Sequence, residues 1–339
     1  MVHGLHSVAE VNAMIEKGDI LLLAGDSALL SQLRKGKWIG GITSLFVENG
    51  KTLSSREEIY VHNITGIAAA VKLKTYDLTT IKNIYDDAFD DGFSVLILPC
   101  DSDIMDEYAC NCSDYSNFAH RVVCGWGTAT PHYSEYERDD TALVFSGETG
   151  MSYASDVCVV MHIQLPEGKF AEIHAVSALK PGDGDVIEFE ENCQRIENVL
   201  INGVRQNFRQ YMIDKQIDRS NEYINVLTGD HDAGVVTNVG IYEDRETDLE
   251  KYVSIAVPVF KGISYRLAKV DYNYSYENMN EQEIVYSCAC VGNYVRPDIF
   301  TNFLMKTNGP FVYGEVAYIL LNFSIVYVTV GNISRESND

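Results

Sequence analysis

Positive charge is scarce in this chain. Its 26 Lys and Arg stand against 49 Asp and Glu, a net charge of −23 over 339 residues. A surface that acidic repels phosphate backbones and anionic membranes, which argues against a nucleic-acid partner. Long apolar runs are also missing. The stretch 21–24 is far too short, and nothing approaches the roughly 18 residues of a membrane span. The start lacks a basic region followed by a long apolar core. The expectation is therefore a cytoplasmic chain without membrane insertion. P-loop, dinucleotide-binding glycine pattern, EF-hand and His-Glu-x-x-His are absent, so no strong motif requires a cofactor. Internal repeats and low-complexity tracts are absent as well.

What is present is an ordinary globular balance, with 46% hydrophobic and 22% charged residues. The 21 tyrosines suit half-buried strands and pocket walls alike. The eight cysteines are expected to be mostly reduced and buried, with Cys288 and Cys290 unbridged. Acidic clusters such as Asp86-Asp87, Asp90-Asp91 and Glu188-Glu190-Glu191 read as solubilising.

Periodicity predicts helices over 8–17, 79–91, 101–120 and 204–217. It predicts strands over 20–24, 59–64, 66–73, 94–98, 142–146, 156–165, 170–179, 235–242, 254–260, 263–270, 283–290 and 317–330. Residues 124–132 read as a glycine-bearing loop. Elements mix without a clean βαβ rhythm. The fold expected is α+β, two halves with largely antiparallel mixed sheets flanked by helices. The turn cluster 181–185 marks the boundary region, giving domains 1–190 and 195–332 and a frayed tail 333–339. Strands 283–290 and 317–328 are expected to be neighbours in one sheet.

The C-terminal segment carries the most pattern. Ser287-Cys288-Ala289-Cys290-Val291-Gly292-Asn293-Tyr294 ends a strand. Asn308-Gly309-Pro310-Phe311-Val312-Tyr313-Gly314-Glu315 then leads through an aromatic-Gly-Glu step into a closing strand with Asn322. This arrangement, with the strand-Asn202-Gly203-helix start, resembles the C-terminal half of FIST-type intracellular sensory domains. Gly40-Gly41-Ile42-Thr43-Ser44 looks like the step that begins that family's N-terminal half. It also resembles an uncharacterised bacterial group with a Trp-Ile-Gly-Gly-Thr step, from which Ile42 departs. The resemblance implies a small-ligand sensor for an amino-acid-like metabolite. With no output domain within 339 residues, its signal would pass to a separate signalling protein. The residues it points to are Gly40, Gly41, Thr43, Cys290, Gly292, Tyr313, Gly314 and Glu315. Glu315 reads equally as a ligand acid or as one half of a buried pair, for instance with Arg296.

Other constellations give competing readings. Cys124, with His120 or His132 as base, would suit a cysteine-dependent hydrolase or transferase. Cys110, Cys112, His120 and Cys124 hold soft ligand atoms within fifteen positions, a weak zinc pattern because Cys-x-Cys is tight. His162, alone in an apolar strand, reads as a hydrogen-bonded core histidine, with metal or haem ligation as the alternative. Tyr-rich strands also suit a structural subunit that forms homo-oligomers.

Overall fold

In the computed structural model the described residues are 3–48, 50–128, 142–216, 224–231, 235–242, 252–271, 284–295 and 307–333. The first helix, Val8–Glu16, shows local sequence setting its own boundary. Ser7 accepts the Glu10 N–H, and the Glu10 carboxylate takes the Ser7 N–H at 2.9 Å, a complete capping box. Val11 and Ile15 then fall on one buried face, against Leu21, Leu23, Trp38 and Val61.

The chain divides into two compact units. The first comprises Met1–Val176, Glu277–Leu320 and Ile325–Asp339, and the second Ser177–Tyr276 with Leu321–Ser324. The C-terminal strands return to sheets of the first unit, so that unit is not one continuous stretch of chain. The architecture is α+β with mixed, mostly antiparallel sheets. Among the described residues no helix is long and apolar enough to cross a membrane.

Among the described residues three six-stranded sheets build the first unit. One runs in the order His3–His6, Ile59–Asn63, Ile20–Gly25, Lys37–Ile42, Val144–Ser146, Met151–Tyr153. The second runs Ile319–Leu321, Glu315–Ala317, Val122–Gly127, Gly92–Leu98, Val157–Gln164, Ala70–Asp77. The third runs Lys169–Val176, Ile325–Asn332, Ile284–Cys290, Gly309–Val312, Leu45–Glu48, Lys51–Ser54. Each sheet holds a parallel pair: Ile20–Gly25 with Lys37–Ile42, Gly92–Leu98 with Val122–Gly127, and Ile284–Cys290 with Gly309–Val312. Parallel neighbours need a crossover rather than a hairpin. The helices Ser27–Leu30, Asp103–Asn111 and Val291–Val295 fall within those three connections.

The second unit is built on one nine-stranded sheet. Asn202 and Gly203 both have positive φ, 49° and 79°, as a two-residue hairpin turn between paired Ile201 and Val204 requires. The helix expected over 204–217 is confined to Phe208–Asp214. Residues Val204–Asn207 form the hairpin's second strand, and Asn207 caps the helix by accepting the Gln210 N–H.

Three further expectations are corrected. Residues 79–91 hold a 3-10 turn, Ile81–Asn83, and no α-helix. The Asp77 carboxylate collects the N–H and hydroxyl groups of both Thr79 and Thr80, a local arrangement that competes with helix formation. The helix expected over 101–120 stops at Asn111. Residues 124–127, read as loop, belong to the strand Val122–Gly127 in the middle of the second sheet.

The expected neighbour of 283–290 is met in part. Ile325–Asn332 pairs antiparallel with Ile284–Cys290, but Glu315–Ala317 and Ile319–Leu321 belong to the second sheet. Tyr318 and Phe323 break the run with φ of 62° and 53°. Tyr318 is held there by tyrosine hydroxyls. Tyr108 donates to its carbonyl at 2.7 Å, and Tyr85 lies 3.0 Å from the Tyr108 oxygen.

Candidate functional site

The strand Ala70–Asp77 closes the edge of the second sheet, beside Val157–Gln164. Register places His162 opposite Ser94 on one side and Lys72 on the other. Alternation then sets Lys72, Lys74 and Tyr76 on the same face as His162. The turn that follows the edge strand returns Asp87 to that face. A fully buried serine, a fully buried histidine, a buried tyrosine and a partly exposed aspartate thus fall in a row.

The row is continuously hydrogen-bonded. Tyr76 donates its hydroxyl to Asp87 Oδ2 at 2.9 Å, and its oxygen lies 2.8 Å from His162 Nε2. His162 Nδ1 lies 2.7 Å from Ser94 Oγ. The directions follow from donor counting. A phenol has one proton, and the carboxylate takes it, so the phenol oxygen must accept from His162. The network therefore assigns the proton to Nε2 and leaves Nδ1 bare, to accept the Ser94 hydroxyl. Every donor points towards Asp87.

Electrostatics agree with that order. Burial lowers the His162 pKa to about 4, against an opposing pull from Asp87, so the ring is neutral. Burial also pushes the Tyr76 hydroxyl far above its ordinary range, and the Asp87 carboxylate adds to this. Burial alone would raise Asp87, but the hydrogen bonds from Lys74 and Tyr76 outweigh it and leave the carboxyl below its usual value. Lys74 Nζ sits 2.6 Å from Asp87 Oδ1, and Lys72 Nζ donates to the Asp87 carbonyl at 3.2 Å.

The outer end of this row opens into a cleft of about 650 Å³ within the first unit. The edge strand supplies Leu73, Lys74, Thr75 and Tyr76. The turn after it supplies Thr80, Asn83, Asp86 and Asp87, the end of the strand Val144–Ser146 supplies Ser146, and the hairpin turn beyond supplies Glu148 and Thr149. This volume lies in the range that holds small molecules. The lining offers carboxylates, hydroxyls and an amide, the groups of a polar binding site. Ser94 lies at the buried end, so its hydroxyl faces His162 and not the cleft.

The residues singled out from sequence lie elsewhere in the first unit. Thr43 donates to the Phe311 carbonyl at 2.9 Å. Cys290 pairs with Val312, and its sulfur accepts the Gly292 N–H at 3.4 Å. Tyr313 and Gly314 are fastened to Gly127 by backbone hydrogen bonds of 3.0 and 2.8 Å. Glu315 is fully buried opposite Trp126. A Cβ on Gly41 would lie 2.7 Å from the Trp126 ring, so that glycine makes room for it, whereas Gly40 faces Leu23 and Leu30. None of these residues lines the cleft.

The cysteine constellations are not drawn together. Cys124 is fully buried, donates to the Ser94 carbonyl at 3.4 Å, and has its thiol pushed well up by burial and by Cys288. That environment opposes a thiolate, the species a nucleophile needs. His120 is exposed on a turn, Cys110 is half-buried and Cys112 is buried. Among the described residues no group of three or more His, Cys, Asp and Glu could hold a metal ion. His132 and Arg296 lie outside the described residues.

Fold and site together define an α+β protein whose first unit carries a polar cleft wired by hydrogen bonds to its core. Residues 6–331 match the family of unknown function DUF6976, and the chain belongs to that family. No curated protein and no solved structure matches it.

Proposed function

We propose that this chain is a cytoplasmic sensory module. It binds a small polar metabolite in the cleft of its first unit and acts through a separate signalling protein. One observation carries the reading: Asp87 lines the cleft, and it is joined through Tyr76 and His162 to Ser94 in the middle of a sheet. A ligand that engages Asp87 perturbs a chain of oriented donors inside the core, which couples occupancy to internal structure. The resemblance to FIST-type sensory domains supports the same reading. The alternative of cysteine-dependent catalysis finds less support, because Cys124 is buried with its proton retained.

Native mass spectrometry of freshly purified protein tests the proposal. A small molecule bound at one per chain is expected, with lower occupancy in a Thr149→Val variant, which alters the cleft and leaves the hydrogen-bonded row untouched. No bound molecule in any preparation, together with no melting shift across a panel of polar metabolites, would overturn it.

A further inference from the structure

We infer that the cleft takes a small organic amine, a cation with primary ammonium groups and no carboxylate. The inference rests on the ligand-binding reading of the same cleft and names the ligand class. The sign of the lining comes first. Lys72 lies beside the cleft on the Asp87 carbonyl, and Asp86, Asp87 and Glu148 outnumber the one base in the described lining, Lys74. That base already spends its charge on Asp87 at 2.6 Å. A zwitterion entering here would bring a carboxylate towards surplus acids, and like charges at close range repel.

The seat for an ammonium is visible in the chain itself. Lys74 places its own ammonium on Asp87 Oδ1, while Tyr76 holds Oδ2 and keeps the carboxylate ionised and oriented. The two side chains of that ion pair are 39% and 30% exposed, and pairs so exposed contribute little. A ligand ammonium can therefore replace Lys74 at small cost, and the released lysine returns to water. Asp86, oriented by Asn117 Nδ2 at 2.6 Å, and Glu148 supply the remaining countercharge. The Asn83 amide oxygen and the Thr80 hydroxyl are acceptors for the other N–H groups.

Titration calorimetry on the full chain separates the classes with three probes of one length: 1,4-diaminobutane, 4-aminobutanoate and 1,4-butanediol. The diamine is expected to bind, more weakly as salt rises. Loss of one charge-assisted contact in Asp87→Gln or Glu148→Gln is expected to weaken it about tenfold. Lys74→Met, which removes the internal competitor, is expected to tighten it. Asp91→Asn, outside the cleft, is expected to leave it unchanged. Circular dichroism checks the fold of the Asp87 variant, and Glu148, on an exposed turn, gives a second reading independent of the buried row. Equal or tighter binding of 4-aminobutanoate would overturn the amine class and leave the cleft as a ligand site. Absence of diamine binding, or binding that Asp91→Asn weakens as much as Glu148→Gln, would also overturn it. If native mass spectrometry then still shows a cleft-dependent metabolite, the sensory reading stands without this ligand class.

Discussion

His162 is the side chain that joins Ser94 in the core to Tyr76 at the cleft. Its Nε2 proton has one acceptor, the Tyr76 oxygen, at 2.8 Å. Removing that oxygen leaves a buried donor unsatisfied and takes a hydrogen bond from Asp87. Tyr76→Phe is therefore expected to lower stability by about 1–3 kcal/mol. Urea unfolding at pH 8 measures the loss, and a change within a few tenths of a kcal/mol would show that the row contributes nothing. Ring nitrogen shifts by NMR give a second check. In the wild type Nε2 carries the proton, and in the variant that preference weakens. That His162 is a hydrogen-bonded core residue was legible, because a lone polar ring in the run Val157–Gln164 needs a partner. Its partners were not legible. Ser94 and Lys72 become neighbours of His162 only through strand register, which the local pattern does not specify.

Elements were legible where they signal their own ends and illegible where a distant strand decides. Apolar spacing marks the first helix, whereas Asn202-Gly203, read as a turn leading straight into a helix, is a hairpin turn whose second strand, Val204–Asn207, comes before that helix. The strand Val122–Gly127 sends the opposite signal, since its two glycines look like loop residues. The structure gives the reason for them. A Cβ on Gly125 would lie 1.9 Å from the Leu96 carbonyl oxygen, and its φ is 153°. The glycine permits the close approach of two parallel strands. Gly125→Ala is expected to force those strands apart and cost more than about 3 kcal/mol. Folded yield and the urea midpoint would report it, and an unshifted midpoint would refute the close-packing argument. Of the residues suggested by the family resemblance, Tyr313 and Gly314 meet at Gly127 through backbone hydrogen bonds. Sequence could not show that this meeting place is packed backbone. The open cleft includes Asp86 and Asp87, which read as solubilising acids.

At the scale of the whole molecule, buried neutral histidines set the response to acid. Burial lowers His162 to about 4 and His62 to about 3, against 6.5 for a free ring. His62 is enclosed by the rings of His3, Tyr60 and Tyr286, with centroids 5.2, 5.1 and 5.3 Å away. Both folded values lie below the unfolded value, so the unfolded chain binds protons that the folded chain refuses. Stability is then complete above about pH 6.5, falls as pH drops, and levels off for each ring once pH passes its folded value. Near pH 5.5 the two rings together account for nearly two protons, a slope of about 2–3 kcal/mol per pH unit. His174, lowered by burial, acts in the same sense. Asp87 acts in a separate window, because its lowered value makes its contribution present above about 4 and lost only in stronger acid. The measurement is unfolding free energy from urea titrations between pH 8 and pH 4.5, for the wild type and for His162→Gln. The variant is expected to lose about half of the slope near pH 5.5, even though its stability at pH 8 is lower. An unchanged slope would mean that His162 is charged in the folded protein, with both ring nitrogens donating, so that the Ser94 hydroxyl accepts from Nδ1 instead of donating to it.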